Sequence, residues 1–95
     1  MSFSELPALS VVRNQTAAYT ATSAAITNAV GAGVSVVRLV ATSACHIKVA
    51  VTPVATTSDM LLPANTVEYI AIAPGQKVAA IQNSAAGTLH VTEMC

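Results

Sequence analysis

The sequence predicts an all-β fold, a jelly-roll or β-sandwich of about 7–9 short antiparallel strands. Three observations carry this expectation. Thr and Val are abundant, while Glu, Lys, Arg and Gln, the residues that usually fill helix surfaces, are scarce. Turn signals built on Gly, Pro, Asn and Ser recur at short intervals along the chain. From Ala44 to Val51, apolar and polar-bearing positions alternate with a period of two.

Ala is common enough to raise a helical alternative, most of all across Thr16 to Ala25. The apolar positions there hold no steady i, i+3, i+4, i+7 stripe, and Thr and Ser recur between them, so the segment reads as extended. Residues 1–10, with Pro7 among small residues, read as an N-terminal arm, and residues 11–95 as a single domain. The first strands are expected at Val11 to Asn14, Ala17 to Ala21 and Ala24 to Thr27. Gly31 and Gly33 then mark a loop.

Val34 to Ala41 is the clearest long strand, and Thr42-Ser43 turns it into Ala44 to Val51. In the second of these, Cys45, Ile47, Val49 and Val51 form an apolar face, while Ala44, His46, Lys48 and Ala50 form the other. That pattern suits a half-buried strand. Pro53 ends it, Thr52 to Asp59 is a loop, and Met60-Leu61-Leu62 leads into a turn at Pro63-Ala64-Asn65. Thr66 to Ile72 is the next strand. Pro74-Gly75 signals a type II turn, Pro presetting φ at the first central position and Gly supplying positive φ at the second. Strands at Lys77 to Gln82 and Thr88 to Met94 follow, separated by a turn from Asn83 to Gly87.

Ninety-five residues make one domain, since two halves would each be too small to bury a core. The usual reinforcements of a small fold are missing from the sequence: there is no disulfide framework, no aromatic cluster and no metal motif. Oligomerisation is the remaining common one. Apolar residues make up 54% of the chain and charged residues 8%, with a net charge of zero. Such a surface favours association. Compositional drift in a GC-rich genome would also enrich Ala and Val. A surface of Ala, Val, Thr and Ser nevertheless loses little side-chain entropy on packing against a partner.

The same charge balance argues against nucleic acid as a partner, because Arg13, Arg38, Lys48 and Lys77 are scattered and form no basic run. Phe3, Tyr19 and Tyr69 are too dispersed for a base-stacking platform. The uncharged stretch between Arg13 and Arg38 is interrupted by Asn, Gln, Thr, Ser and Gly, which argues against a membrane span. The first residues carry Glu5 and no basic residue, so they do not read as a secretory signal. Cys45 and Cys95 read as free thiols in a reducing compartment.

Candidate chemistry is sparse. His46, His90, Cys45 and Cys95 are the only soft-metal ligands in the chain. Cys45 and His46 are neighbours on a strand and point to opposite faces, so no metal or cofactor site is expected. No nucleophile elbow accompanies either histidine, and both read as partly exposed strand or contact residues. Of the carboxylates Glu5, Asp59, Glu68 and Glu93, the last two lie on strands and could face each other as an acid/base pair. Pairing of each across the sheet with Lys48, Lys77 or Arg38 is the stronger expectation. Gly31-Ala32-Gly33 departs from both the dinucleotide and the phosphate-loop patterns. The expectation is a protein that is not an enzyme.

The stretches from Val37 to Lys48, Ser58 to Asn65 and Ile72 to Ala79, with the closing Gly87 to Met94, resemble small virion proteins of tailed bacteriophages that accompany the major capsid protein. The resemblance covers residues 34–95 and rests on strand-and-turn patterns. It implies a capsid decoration, or cement, protein of jelly-roll or sandwich fold. It further implies a homotrimer made in the host cytoplasm, seated on the capsid surface of the virion and bridging major capsid subunits. No site residue carries over from it. The alternatives are a tail or fibre module that binds a host surface glycan, which calls for exposed aromatics in a cleft, and a small cupin-like enzyme, which calls for clustered histidines.

Overall fold

The computed structural model describes residues 10–95, and they form an all-β sandwich of eight strands. The strands are β1 (Val11–Tyr19), β2 (Ala24–Ala25), β3 (Val36–Ala41), β4 (Cys45–Ala50), β5 (Met60–Leu62), β6 (Glu68–Ala71), β7 (Lys77–Gln82) and β8 (Gly87–Met94). They make two four-stranded antiparallel sheets, ordered β1-β8-β3-β6 and β2-β7-β4-β5. First pairs with last, second with seventh, third with sixth and fourth with fifth. The chain is thus a doubled-over ribbon of four nested pairs, rolled so that successive pairs alternate between the sheets.

The core lies between the sheets and follows from period-two alternation. Ala17 and Tyr19 on β1, Leu89 and Val91 on β8, and Val37, Leu39 and Ala41 on β3 point inward and are buried. Val78 and Ala80 on β7, Cys45 and Ile47 on β4, and Leu62 on β5 meet them from the other sheet. Small and β-branched side chains fill most of this space. Tyr19, 1% exposed, is the largest core side chain among the described residues.

Several expected boundaries shift. The strands expected at Val11 to Asn14 and Ala17 to Ala21 are one, β1, which pairs with β8 throughout apart from a register shift between Val11 and Arg13. Arg13 and Gln15 break the apolar alternation and suggest a gap, but their side chains turn inward to an acidic partner. Met60–Leu62, expected to lead into a turn, is itself a strand on the edge of the second sheet. The turn that follows contains Asn65 at φ 57°, the left-handed region that Asn tolerates. At the next turn Gly75 has φ 89° and the Gln76 N–H donates to the Ala73 carbonyl at 3.1 Å, the geometry expected of Pro74-Gly75. Of the segment read as an arm, residues 1–9 lie outside the described residues. Ser10 exchanges two backbone hydrogen bonds with Cys95, at 3.0 and 3.2 Å.

The two outer faces differ. The 51–59 loop leaves β4 and reaches the far edge of its sheet, where the Ala55 N–H donates to Ser23 Oγ at 2.8 Å just before β2. It then returns to β5. Beneath it, outward-facing Ala79 is fully buried and outward-facing His46 is 8% exposed. No segment among the described residues covers the outer face of the β1-β8-β3-β6 sheet in this way, and Asn14, Thr16, Ala18, His90 and Tyr69 are exposed there.

Candidate functional site

Three polar clusters order the molecule, and the first is built on Glu93. This residue sits on β8 with its side chain pointing between the sheets, and it is wholly buried. Its carboxylate accepts from Arg13 Nε at 2.6 Å and Nη2 at 3.1 Å, from Gln15 Nε2 at 3.0 Å and from the Gly31 N–H at 3.0 Å. Arg13 also donates to the Ala29 carbonyl, and the Gln15 amide bonds the Asn28 backbone at both its N–H and its carbonyl. The ion pair therefore fastens the 28–31 loop under β1 and closes one flank of the sandwich. Burial pushes the Glu93 carboxyl up, but the bonds from Arg13, Gln15 and Gly31 more than offset this and hold it below the ordinary range. The bond to Glu93 likewise raises Arg13.

This corrects the expected pairing. Glu93 meets neither Lys48, Lys77 nor Arg38, and it does not face Glu68. Strand β3 separates β6 from β8, and Glu68 lies opposite Leu39 at an exposed edge, in the row of Val91 and not of Glu93. A signal was present in the sequence: Arg13 and Gln15 are two apart and so share one face of a strand.

The second cluster corrects the expected exposure of His46, which is buried because the 51–59 loop lies over it. The Asp59 carbonyl can only accept, so His46 Nδ1 donates to it at 3.0 Å, while Nε2 lies 3.1 Å from the Asn83 side-chain amide. Lys48 Nζ stands 3.9 Å from Asp59 Oδ1, and Asp59 Oδ2 accepts from the Thr56 N–H at 2.8 Å. These contacts pin the returning arm of the loop. Val51, assigned to the apolar face of this strand, lies beyond its end and is 67% exposed.

The third cluster is centred on Tyr19, whose hydroxyl donates to the Ser43 carbonyl and accepts from the Ser43 N–H at 3.2 Å. Ser43 Oγ lies within reach of the Ala85 and Ala86 carbonyls, at 3.1 and 3.0 Å. The β3–β4 and β7–β8 turns thereby lock together at one end of the sandwich. Gly87 lies in this corner because a Cβ there would press into Ser43 Oγ, Tyr19 OH and Thr42 Oγ1.

The remaining candidates do not converge. His90 stands exposed on the outer face of one sheet, and His46 lies on the outer face of the other. Cys45 is in the core and Cys95 at the exposed chain end, and both are free. Burial raises the Cys45 thiol, with a hydrogen bond to Tyr19 acting in the opposite sense. Among the described residues no group of three His, Cys, Asp or Glu side chains lies close enough to hold a metal ion. Phe3 and Glu5 lie outside the described residues.

The uncovered sheet carries a different kind of feature. Asn14, Thr92, Arg38 and Tyr69 form a row straight across its outer face, with Thr92 Oγ1 donating to Asn14 Oδ1 at 2.8 Å. Thr16, His90 and Val40 form the next row. Arg38 is the only Lys, Arg, Asp or Glu on this face among the described residues, since Glu93 points inward and Glu68 lies at the edge. The face is otherwise small, β-branched and neutral. Comparison of the chain with protein-family models, with curated proteins and with solved structures found no match.

Proposed function

We propose that this chain is a structural protein that works by packing against copies of itself and against the subunits of a larger shell, in the manner of a bacteriophage capsid decoration protein. The observation that carries the proposal is the asymmetry of the two outer faces. The 51–59 loop crosses one sheet and buries His46, while no segment among the described residues crosses the other, whose outer face is nearly uncharged. Side chains such as Thr16, Thr88, Thr92, Val36 and Val40 lose little rotamer freedom when a partner covers them, which suits permanent contact. Tyr69 beside Arg38 adds the two residue types that most often anchor protein interfaces.

We read the nested strand pairing as a jelly roll, an architecture shared by capsid proteins, lectins and cupins. Fold by itself does not choose among these. The phage assignment rests on the strand-and-turn resemblance over residues 34–95. The mechanism is mechanical: area buried across neighbouring shell subunits raises the free energy needed to part them. Particles assembled without the protein are expected to release their genome at a lower temperature than complete particles. Identical release temperatures would contradict the proposal.

A further inference from the structure

We infer that two copies of this chain join through the open edge of β1, pairing β1 with β1 of the second copy, antiparallel about a two-fold axis that passes at Thr16. This deepens the assembly reading and rests on it, with a two-fold pair in place of the homotrimer that the resemblance implies.

The inference starts from the four edges that two open sheets expose. Soluble proteins protect such edges by making them very short, charging them, or placing Pro in them. Three edges here follow that rule: β2 has 2 residues, β5 has 3, and β6 has 4 with Glu68 among them. Strand β1 has 9 residues, no Pro and no Lys. Its one charged side chain, Arg13, is paired with Glu93, though 42% of it stays exposed. Val11–Tyr19 pairs with β8 alone among the described residues, and no described segment takes up the backbone donors and acceptors on the other side of the strand.

The second copy is the occupant because this edge is self-complementary. An antiparallel pair about a two-fold axis sets each residue against its mirror position, and the outward side chains that then meet are Asn14, Thr16 and Ala18, none of them charged. No like-charge contact arises. The register follows from the irregularity between Val11 and Arg13, which ends the regular ladder and leaves Arg13 to Tyr19 for pairing. The midpoint of that run is Thr16. Thr16 would then face Thr16 of the second copy, a favourable cross-strand pair, and Asn14 would face Ala18. The bare outer face of each four-stranded sheet would continue into the other, giving one eight-stranded sheet across the dimer.

Sedimentation equilibrium of the purified chain across the micromolar range tests this. A dimer, or a higher species built from dimers, is expected for the wild type. Thr16→Lys and Thr16→Glu, each on an exposed side chain, are each expected to raise the dimer dissociation constant about 10–100-fold while leaving the circular dichroism spectrum unchanged. Their equimolar mixture should dimerise again. In a Cys95→Ser background, Thr16→Cys should form a disulfide-linked dimer on mild oxidation. Asn14→Cys and Ala18→Cys should cross-link only when mixed with each other. A monomeric or trimeric wild type overturns the inference, as does association that Thr16→Lys leaves intact. In that last case self-association, and with it the assembly reading, would stand through another surface.

Discussion

Glu93 is the residue on which the flank of the sandwich depends. Replacing it with Gln keeps the shape but removes the charge that pairs with Arg13 and turns one of the two accepting oxygens into an NH2 that faces donors either way round, and the expected cost is about 1–3 kcal/mol in a urea titration. The pH dependence has a definite sign. A carboxyl that titrates lower in the folded chain than in the unfolded one adds stability that is present above its unfolded value, about 4.3 for Glu. That stability is lost as pH falls through the folded value. The melting temperature of the wild type should therefore drop in acid more steeply than that of Glu93→Gln, and parallel curves would remove Glu93 from the account. Gly87 is the second sensitive position. Gly87→Ala forces a methyl group into Ser43, Tyr19 and Thr42, and an overpacked corner of this kind is expected to cost about 1–3 kcal/mol in the same titration.

At the scale of elements, the 51–59 loop decides which face of the molecule is closed. It is held by one bond at its far reach, Ala55 N–H to Ser23 Oγ, and by His46 and Lys48 on its return. Ser23→Ala should cost about 1 kcal/mol and should speed amide exchange at Ala55 and in the loop before any change in β7 or β8. Exchange rates equal to those of the wild type would mean that the loop is held elsewhere. The loop also shows where local pattern stops informing. Strands β3, β7 and β8 are legible in the sequence because their runs of Val, Ile, Leu, Ala and Thr are punctuated by Thr42-Ser43, Pro74-Gly75 and Asn83 to Gly87. The burial of His46 is not legible, because its cover comes from a loop crossing a whole sheet. The single strand β1 was hidden for a related reason. Arg13 and Gln15 break its pattern, and the residue that satisfies them lies at the other end of the chain and meets them only once first and last strands pair.

For the whole molecule, composition and strand topology bear on the same point. A chain that is 8% charged has little with which to keep its surfaces apart. The rolled ribbon then leaves Arg38 as the one Lys, Arg, Asp or Glu on the outer face of one sheet among the described residues: Glu93 is buried and paired with the exposed Arg13, Asp59 joins Lys48 on the loop side, and Glu68 falls at an edge. Among the described residues the result is one face partly covered by its own loop and one face that no segment crosses, which is the face the proposed assembly would use. A phage shell as the neighbour on that face is proposed through resemblance alone, because small neutral side chains carry no chemical signature of a partner. The most direct measurement is therefore the composition of the particles themselves. Virions purified from the source and taken apart for mass spectrometry should yield this 9.6 kDa chain in many copies, in fixed proportion to the shell subunit. Particles that lack the chain, while the infected cell contains it in soluble form, would contradict the account.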